Sequence, residues 1–579
     1  MTPINITRTE RVDDIPLLIA QMEKMKIAEL MDKHFPAHGN WFGLSFGQTV
    51  VGWLAYIISE GDHRLNHVQG WAAGLLLTLN ICLKMATLRD LDFSDDRLAV
   101  ILTRLGNDAA WDGYEIEQGQ MLLRVYNLRS RQVRIDSTTA KSYVGVSEDG
   151  LFQFGHSKEH RPDLPQLKIS QSVLDPLGLP LTTTVVSGEK ADDPLYLPEI
   201  RKVQAIYQKR GLLYIGDCKM GAIETRAYLA NGGDYYLLPL SAVHLSTEVL
   251  SSLLEPVWAG TQVLTPIYRP QEKEGEAQEL IADGFRIKVT VTATVEVETV
   301  AWFEYRSIIR SFKYAQAQER TLVARLEKAE KAIASLNVRG QGIKRLDEAG
   351  LRAAVDQILQ QHNVAGLLTV TYTVDSQKVS KRAYKDRPAQ TVTLITVTVH
   401  STRNIGAYAD AVRSLGWRVY VCNDAKLSLT EVVLAYRDQY IVERGFNRMR
   451  GKVLGLTPIH LSSTTRIKGL VRLLTIALRI LCLVEFEVRK TLQEQNEKLD
   501  DIYAGNPKRA TATPTTEMML KAFRGIMLSV ASIKGDNHAF ITPLNTVQQN
   551  ILRLVGFPAE IYQAVQLQSV KLVTKMDER

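Results

Sequence analysis

Over residues 132–240 the chain breaks into short apolar runs separated by turn residues, and this texture constrains the fold more than any other feature of the sequence. The runs read VRIDSTT, LKISQSVL and LTTTVVSG, then a helical LPEIRKVQAIYQKR, then LLYIGD and DYYLLPL. Strand-like segments followed by a helix and more strands predict an α/β sheet. Two of these strands close on an acid, Asp136 in VRID and Asp217 in LLYIGD. The carboxyl edge of an open α/β sheet is where sites form. A single aspartate after a strand also serves as a turn former or helix N-cap, so the two positions carry weight together rather than singly.

The 579 residues hold several folding units at about 150 residues each. Residues 1–125 are expected to form a helical N-terminal domain, with amphipathic stretches at 15–30, 47–59 and 75–88 broken at Gly61 and Gly74. Residues 126–245 form the first part of the α/β core. Residues 246–404 form a β-rich insertion, where RIKVTVTATVEVE and LLTVTYTV alternate around a long helix at 313–336. In that helix Leu322, Leu326, Ala329, Ile333 and Leu336 suit a short coiled coil or packing on the neighbouring sheet, and packing is favoured. Residues 405–500 return to the core with WRVYVCND and a helix at 428–452, whose SLTE start is a capping box with Ser428 as N-cap. Residues 501–579 hold the linker AGNPKRATATPTT and C-terminal helices.

Cys82, Cys218, Cys422 and Cys482 lie far apart, so neither a disulfide framework nor a CxxC zinc site can be drawn. The start MTPINITRTE has no signal-peptide pattern, and no apolar run reaches the roughly 20 residues of a membrane span. The longest, 72–83 and 473–484, are interrupted by Asn80 and Arg479 and read as core helices. A cytoplasmic protein without membrane partners is expected. The net charge of +7 is unevenly spread. Arg444, Arg448, Arg450, Lys452, Arg466, Lys468, Arg472 and Arg479 follow one another without a single intervening acid. Such a run is either a solvated helix face or a polyanion groove.

The run opens within YRDQYIVERGFNRMRGK, where at about 100° per residue Tyr436, Gln439, Glu443 and Arg450 share a stripe about 60° wide on one helix. This segment resembles the Tyr-Arg-Glu-Lys signature of bacterial insertion-sequence DDE transposases, the insertion-sequence family four superfamily. Tyr436 and Glu443 match; Gln439 stands where the signature has arginine, and Arg450 where it has lysine. RIDSTT around Asp136, GHSKEHRPDLPQLK from Gly155, GDCKMG around Asp217 and LTPIHLSSTTRIKG from Leu456 look similar to that group too.

The resemblance implies an RNase H-like mixed sheet interrupted by the insertion, since 226 residues separate Asp217 from Glu443 but only 81 separate Asp136 from Asp217. It implies that Asp136, Asp217 and Glu443 hold two Mg2+ ions, with Mn2+ able to substitute, Asp136 bridging both. The partners implied are double-stranded DNA at the element ends and target, and a homodimer or higher assembly on the nucleoid of a bacterium. Cut-and-paste DNA transposition follows as the expected activity. The alternatives are an RNase H-like nuclease without strand transfer and a non-catalytic DNA-binding protein derived from a transposase. Two metals about 3.5–4 Å apart activate the nucleophile and relieve charge on phosphorus, which three carboxylates from separate segments can support.

Tyr436, Gln439, Arg444, Arg448, Arg450 and Lys452 are the expected DNA contacts. Gln439 donates hydrogen bonds but brings no charge, so Arg437 or Arg444 is expected to supply it. Trp302 is a candidate for base stacking, although core packing is the commoner fate of a strand tryptophan. His156 with His160, and His63 with His67, have i, i+4 spacing, but neither pair has the helical context and acid of a metal motif.

Overall fold

The computed structural model describes residues 5–577 except 38, 40, 86, 242, 272–276, 296–297, 339–345, 384–387, 507 and 534–535. In chain order its strands are β1 (Asn5–Arg11), β2 (Gln132–Lys141), β3 (Gln166–Leu174), β4 (Leu179–Ser187), β5 (Leu213–Ile215), β6 (Tyr235–Pro239), β7 (Thr265–Tyr268), β8 (Leu280–Val295), β9 (Glu298–Ser311), β10 (Leu368–Lys381), β11 (Gln390–Arg403), β12 (Trp417–Cys422), β13 (Met527–Ile533) and β14 (Asp536–Ile541). Two compact units form: Met1–Leu238 with Thr292–Trp302 and Ala435–Arg579, and Pro239–Val291 with Phe303–Leu434.

The first unit is built on strands ordered β4-β3-β2-β5-β6. β2, β3 and β4 are antiparallel, whereas β5 runs parallel to β2 and β6 parallel to β5. The α/β expectation for this region is met. Every residue of β3 is buried, as a strand covered on both faces requires. The helix Asp193–Tyr207 leads from β4 to β5 and lies against β3 and β4.

Against the same strands runs the helix Thr464–Gln495, about 48 Å long at 1.5 Å per residue. Its segment 473–484, the longest apolar run, is buried throughout. Gly469 lets the helix Asp95–Leu105 approach, because a Cβ there would meet the Leu102 carbonyl oxygen at 2.0 Å. Arg479, only 1% exposed, is satisfied on all sides. Its Nη2 reaches Glu115 Oε1 at 2.8 Å and the Leu181 carbonyl at 3.0 Å, Nη1 reaches Gln118 Oε1 at 2.6 Å, and Nε reaches the Pro180 carbonyl at 2.9 Å. One guanidinium thus joins the long helix, the helix Asp108–Val125 and β4. Among the described residues no helix is long and apolar enough to cross a membrane.

The terminal regions are not wholly helical, which corrects the sequence reading. β1 pairs with β13, and β13 with β14, in a three-stranded antiparallel sheet that joins the two ends of the chain. β1 is polar because Glu10, buried, accepts the backbone N–H groups of Leu77 and Thr78 at 2.9 and 2.8 Å, capping the helix Leu76–Cys82. The expected break at Gly61 is present, with that residue left-handed at φ 65°.

In the second unit the strands order as β12-β9-β8-β7. β12, the WRVYVC strand, pairs antiparallel with β9. Leu254, Phe285, Ile308, Trp417 and Val419 form the core of this sheet. Glu296 and Val297 of the RIKVTVTATVEVE run lie outside the described residues. In the helix Phe312–Ser335, Leu322, Leu326, Ala329 and Ile333 are buried against Val355, Val364, Leu368 and Val399. Core packing, rather than a coiled coil, is what their spacing serves.

Removing one partner of a buried ion pair strands the other's charge. Arg479→Met and Glu115→Gln are each expected to cost about 3–5 kcal/mol. The double variant should recover part of that loss. Urea unfolding midpoints check both statements.

Candidate active site

The site begins with strand register. In the parallel β2–β5 pair Gln132 lies beside Leu213, Val133 beside Tyr214 and Arg134 beside Ile215. Two residues further along each chain lie Asp136 and Asp217, near enough for the charge of one to act on the other. β5 stops at Ile215, and Gly216 turns the chain where a Cβ would lie 2.8 Å from Met220 Sδ. Asp136 is not at the end of its strand, as the sequence suggested, but within it; the acids mark where the parallel pairing ends.

Each carboxylate has one oxygen engaged. Asp136 Oδ1 accepts the Ser137 N–H at 2.8 Å and Lys158 Nζ at 3.1 Å. Asp217 Oδ1 accepts the Tyr196 hydroxyl at 2.5 Å and the Lys219 N–H at 2.8 Å. The ordinary role of an aspartate after a strand, capping the next turn, is therefore performed by Asp217 along with whatever else it does. Neither Oδ2 has a hydrogen-bond partner among the described residues. Burial pushes the Asp136 carboxyl up; Lys158 opposes this, and the like charge of Asp217 adds to it. Burial, with the charges of Asp217 and Asp136, pushes the Tyr196 phenol well above its usual range, so it remains a donor.

Lys158 comes from the irregular GHSKEH segment, placed over β2 by a bond from its own N–H to Thr139 Oγ1 at 3.1 Å. Its ammonium also bonds the Ser137 carbonyl and, at 3.2 Å, Ser137 Oγ. Ser137 Oγ in turn donates to Asp192 Oδ1 at 2.9 Å. Lys158, Tyr196 and Asp192 were not singled out from the sequence, where nothing local ties them to Asp136. His156 and His160 of the same segment are exposed and not helical. His67 bonds Asp62 at 3.0 Å.

The structure does not bring Glu443 to this pair. It lies on the exposed side of the helix Tyr440–Arg450, whose buried face is Ile441, Val442, Gly445, Phe446, Arg448 and Met449. No group of three His, Cys, Asp or Glu side chains able to hold a metal ion occurs among the described residues. The expected single stripe also fails, because the helix at 428–452 is two helices, Leu429–Arg437 and Tyr440–Arg450. Arg134 is the cause. Fully buried in β2, it bonds the Ala435 carbonyl at 2.8 Å, Asp175 Oδ2 at 2.6 Å and Gln439 Oε1 at 3.4 Å. It thereby takes a carbonyl that would continue the helix. Gln439 thus faces Arg134, and half-buried Tyr436 lies on the preceding helix. The capping box at Ser428 is present, with Ser428 N–H donating to Glu431 Oε2 at 2.8 Å and Glu431 N–H to Ser428 Oγ at 3.2 Å.

Much of the basic run is spent inside the fold. Arg448 is held by Glu485 at 2.5 Å and Glu517 at 2.9 Å, so its assignment to DNA is corrected. Arg472 and Lys468 share Asp108, and Arg479 is buried as described. Arg450 touches the Thr139 carbonyl at 3.5 Å and Glu159 at 3.8 Å. Arg444 and the exposed Lys452 have no carboxylate partner among the described residues. Trp302 is half-buried and donates through Nε1 to the Tyr236 hydroxyl at 2.8 Å.

Because burial raises the Asp136 pKa in the folded chain, its contribution to stability is full below the unfolded value near 4 and is lost as pH rises through the folded value. Asp136→Asn should remove that loss, so the variant gains stability relative to the wild type as pH rises from 4 towards 8. Melting curves from pH 4 to 8 check this.

No family model matches this chain, and no curated protein matches it. Among solved structures the chain is similar to a piggyBac transposase synaptic complex with hairpin DNA, with a TM-score of 0.34 and 7% identity over 97% of this chain and 82% of that one.

Proposed function

We propose that the chain is a DDE-type DNA transposase with an RNase H-like core, which cleaves DNA at the ends of its element and joins the freed 3′-hydroxyl ends to target DNA. The observation that carries the reading is the pair Asp136 and Asp217, each two residues beyond the last paired position of the parallel strands β2 and β5, each charge acting on the other, and each with one oxygen unpartnered among the described residues. Three antiparallel strands followed by two parallel ones, with one acid on the first and another after the fourth, support the RNase H-like assignment.

The donor chemistry of the pair fits Mg2+ or Mn2+, since both carboxylates are hard oxygen ligands. The Lys158 ammonium already stands as a cation against Asp136. When bound, a divalent ion supplies an acidified water or hydroxyl and relief of charge on phosphorus. The chain's own residues do the positioning. Tyr196 and the Lys219 N–H hold the Asp217 carboxylate, and the Ser137 N–H holds that of Asp136. Glu443 is the third acid by resemblance, with no hydrogen bond or ion pair among the described residues on its exposed helix face. Arg444, Arg450 and Lys452 hold the phosphate backbone.

The position of Glu443 favours one second reading, a DNA-binding protein that no longer cleaves. Incubating the chain and Mg2+ with duplex DNA carrying the sequences that flank its gene separates the two. Cleavage is expected, slowed at least about a hundredfold by Asp136→Ala, Asp217→Ala or Glu443→Ala with DNA affinity retained. Normal cleavage by one variant removes that residue from the site. Binding without cleavage by the wild type selects the second reading.

A further inference from the structure

The second unit carries a long two-stranded ribbon that its core does not cover. β10 and β11 pair over fourteen consecutive positions without a bulge. At the base Leu368 and Val399 are buried and Val370 and Tyr372 pack beside them. From Thr373 to Lys381 every residue of β10 is exposed. Beyond the Val374–Val397 pair the ribbon extends about 25 Å at roughly 3.3 Å per residue.

Such an element is marginal by itself in water, and it leaves Val374, Val379, Leu394 and Ile395 between 43% and 62% exposed. A partner is needed to cover it, and charge selects which. Residues 374–397 contain five bases, Lys378, Lys381, Arg382, Lys385 and Arg387, against Asp375 and Asp386. Lys378, Lys381 and Arg382 are exposed and have no ion pair among the described residues. A second copy of the ribbon would set like charges together, whereas a polyphosphate backbone neutralises them. The major groove, about 12 Å wide, admits a two-stranded ribbon. Cross-strand partners share a face, and one face presents Thr373, Gln377 and Gln390, whose hydroxyl and amide groups suit base edges, alongside Val379, Val392 and Leu394 and the single acid Asp375.

We propose that the β10–β11 ribbon is an arm that lies in the major groove of duplex DNA, with Lys378, Lys381 and Arg382 on the flanking phosphates. The assignment rests on the reading that the chain acts on duplex DNA.

The test uses the full chain in two altered forms. One carries Lys378→Ala, Lys381→Ala and Arg382→Ala together; in the other, residues 375–396 are replaced by an Asn-Gly turn joining Val374 to Val397. Duplex affinity is measured from about 50 to 300 mM salt, with protection of guanine N7 from methylation as the groove readout. The triple variant should lower the log-log salt slope by about 2 to 3, and the shortened chain should lose N7 protection. If the wild type binds DNA and both variants keep its slope and protection, the ribbon assignment is overturned and the DNA reading stands. If the wild type shows no salt-dependent binding, both fall. An unchanged slope together with conversion of an oligomer to a monomer assigns the ribbon to a second copy and overturns the proposal.

Discussion

A guanidinium buried in the first unit sets the terms for the rest of it. Arg479 comes into the interior on the helix Thr464–Gln495 and must find acceptors and a counter-charge there, since an unpaired buried charge is costly. It finds them on two other elements, Glu115 and Gln118 of one helix and the carbonyls of Pro180 and Leu181 in β4. Apolar contacts alone would let these elements slide. The guanidinium's planar fork permits one arrangement, and β4 is the edge from which the order β4-β3-β2-β5-β6 follows.

Arg134 repeats the device on β2, the strand that carries Asp136. Its bonds to Asp175, Ala435 and Gln439 hold β2 against the chain just before Glu443, and they divide one helix into two. Asp136 lies two residues along β2 from it, on a segment whose position is fixed on both sides. Asp136 and Asp217 are thereby kept close although their charges repel. That repulsion and the burial of Asp136 are the properties a cation relieves, and Lys158 relieves them in part.

The features legible in the sequence were those set by neighbouring residues. The strand runs of 132–240, the Ser428 capping box, the Gly61 terminus and the packed face of Leu322, Leu326, Ala329 and Ile333 all follow from local pattern. What escaped depends on residues distant in the chain. The run from Arg444 to Arg479 contains no acid, yet Asp108, Glu115, Glu485 and Glu517 neutralise half of its bases from elsewhere. The helix break before Tyr440 is made by Arg134, about 300 residues earlier. β1 reads as a polar segment because its buried Glu10 serves a helix terminus more than sixty residues on. Asp136 and Asp217 are legible because each closes a short apolar run of the sequence, although Asp136 lies within its strand; Lys158 and Tyr196 are not, since only folding places them there.

The central claim is that Asp136 and Asp217 form a cation site for phosphoryl chemistry. Anomalous diffraction from crystals of the chain grown with Mn2+ tests it most directly. The account predicts a manganese peak held by both carboxylates, with Lys158 Nζ withdrawn from Asp136. Crystals that bind manganese elsewhere, or show Lys158 still seated on Asp136 at saturating Mn2+, would contradict it.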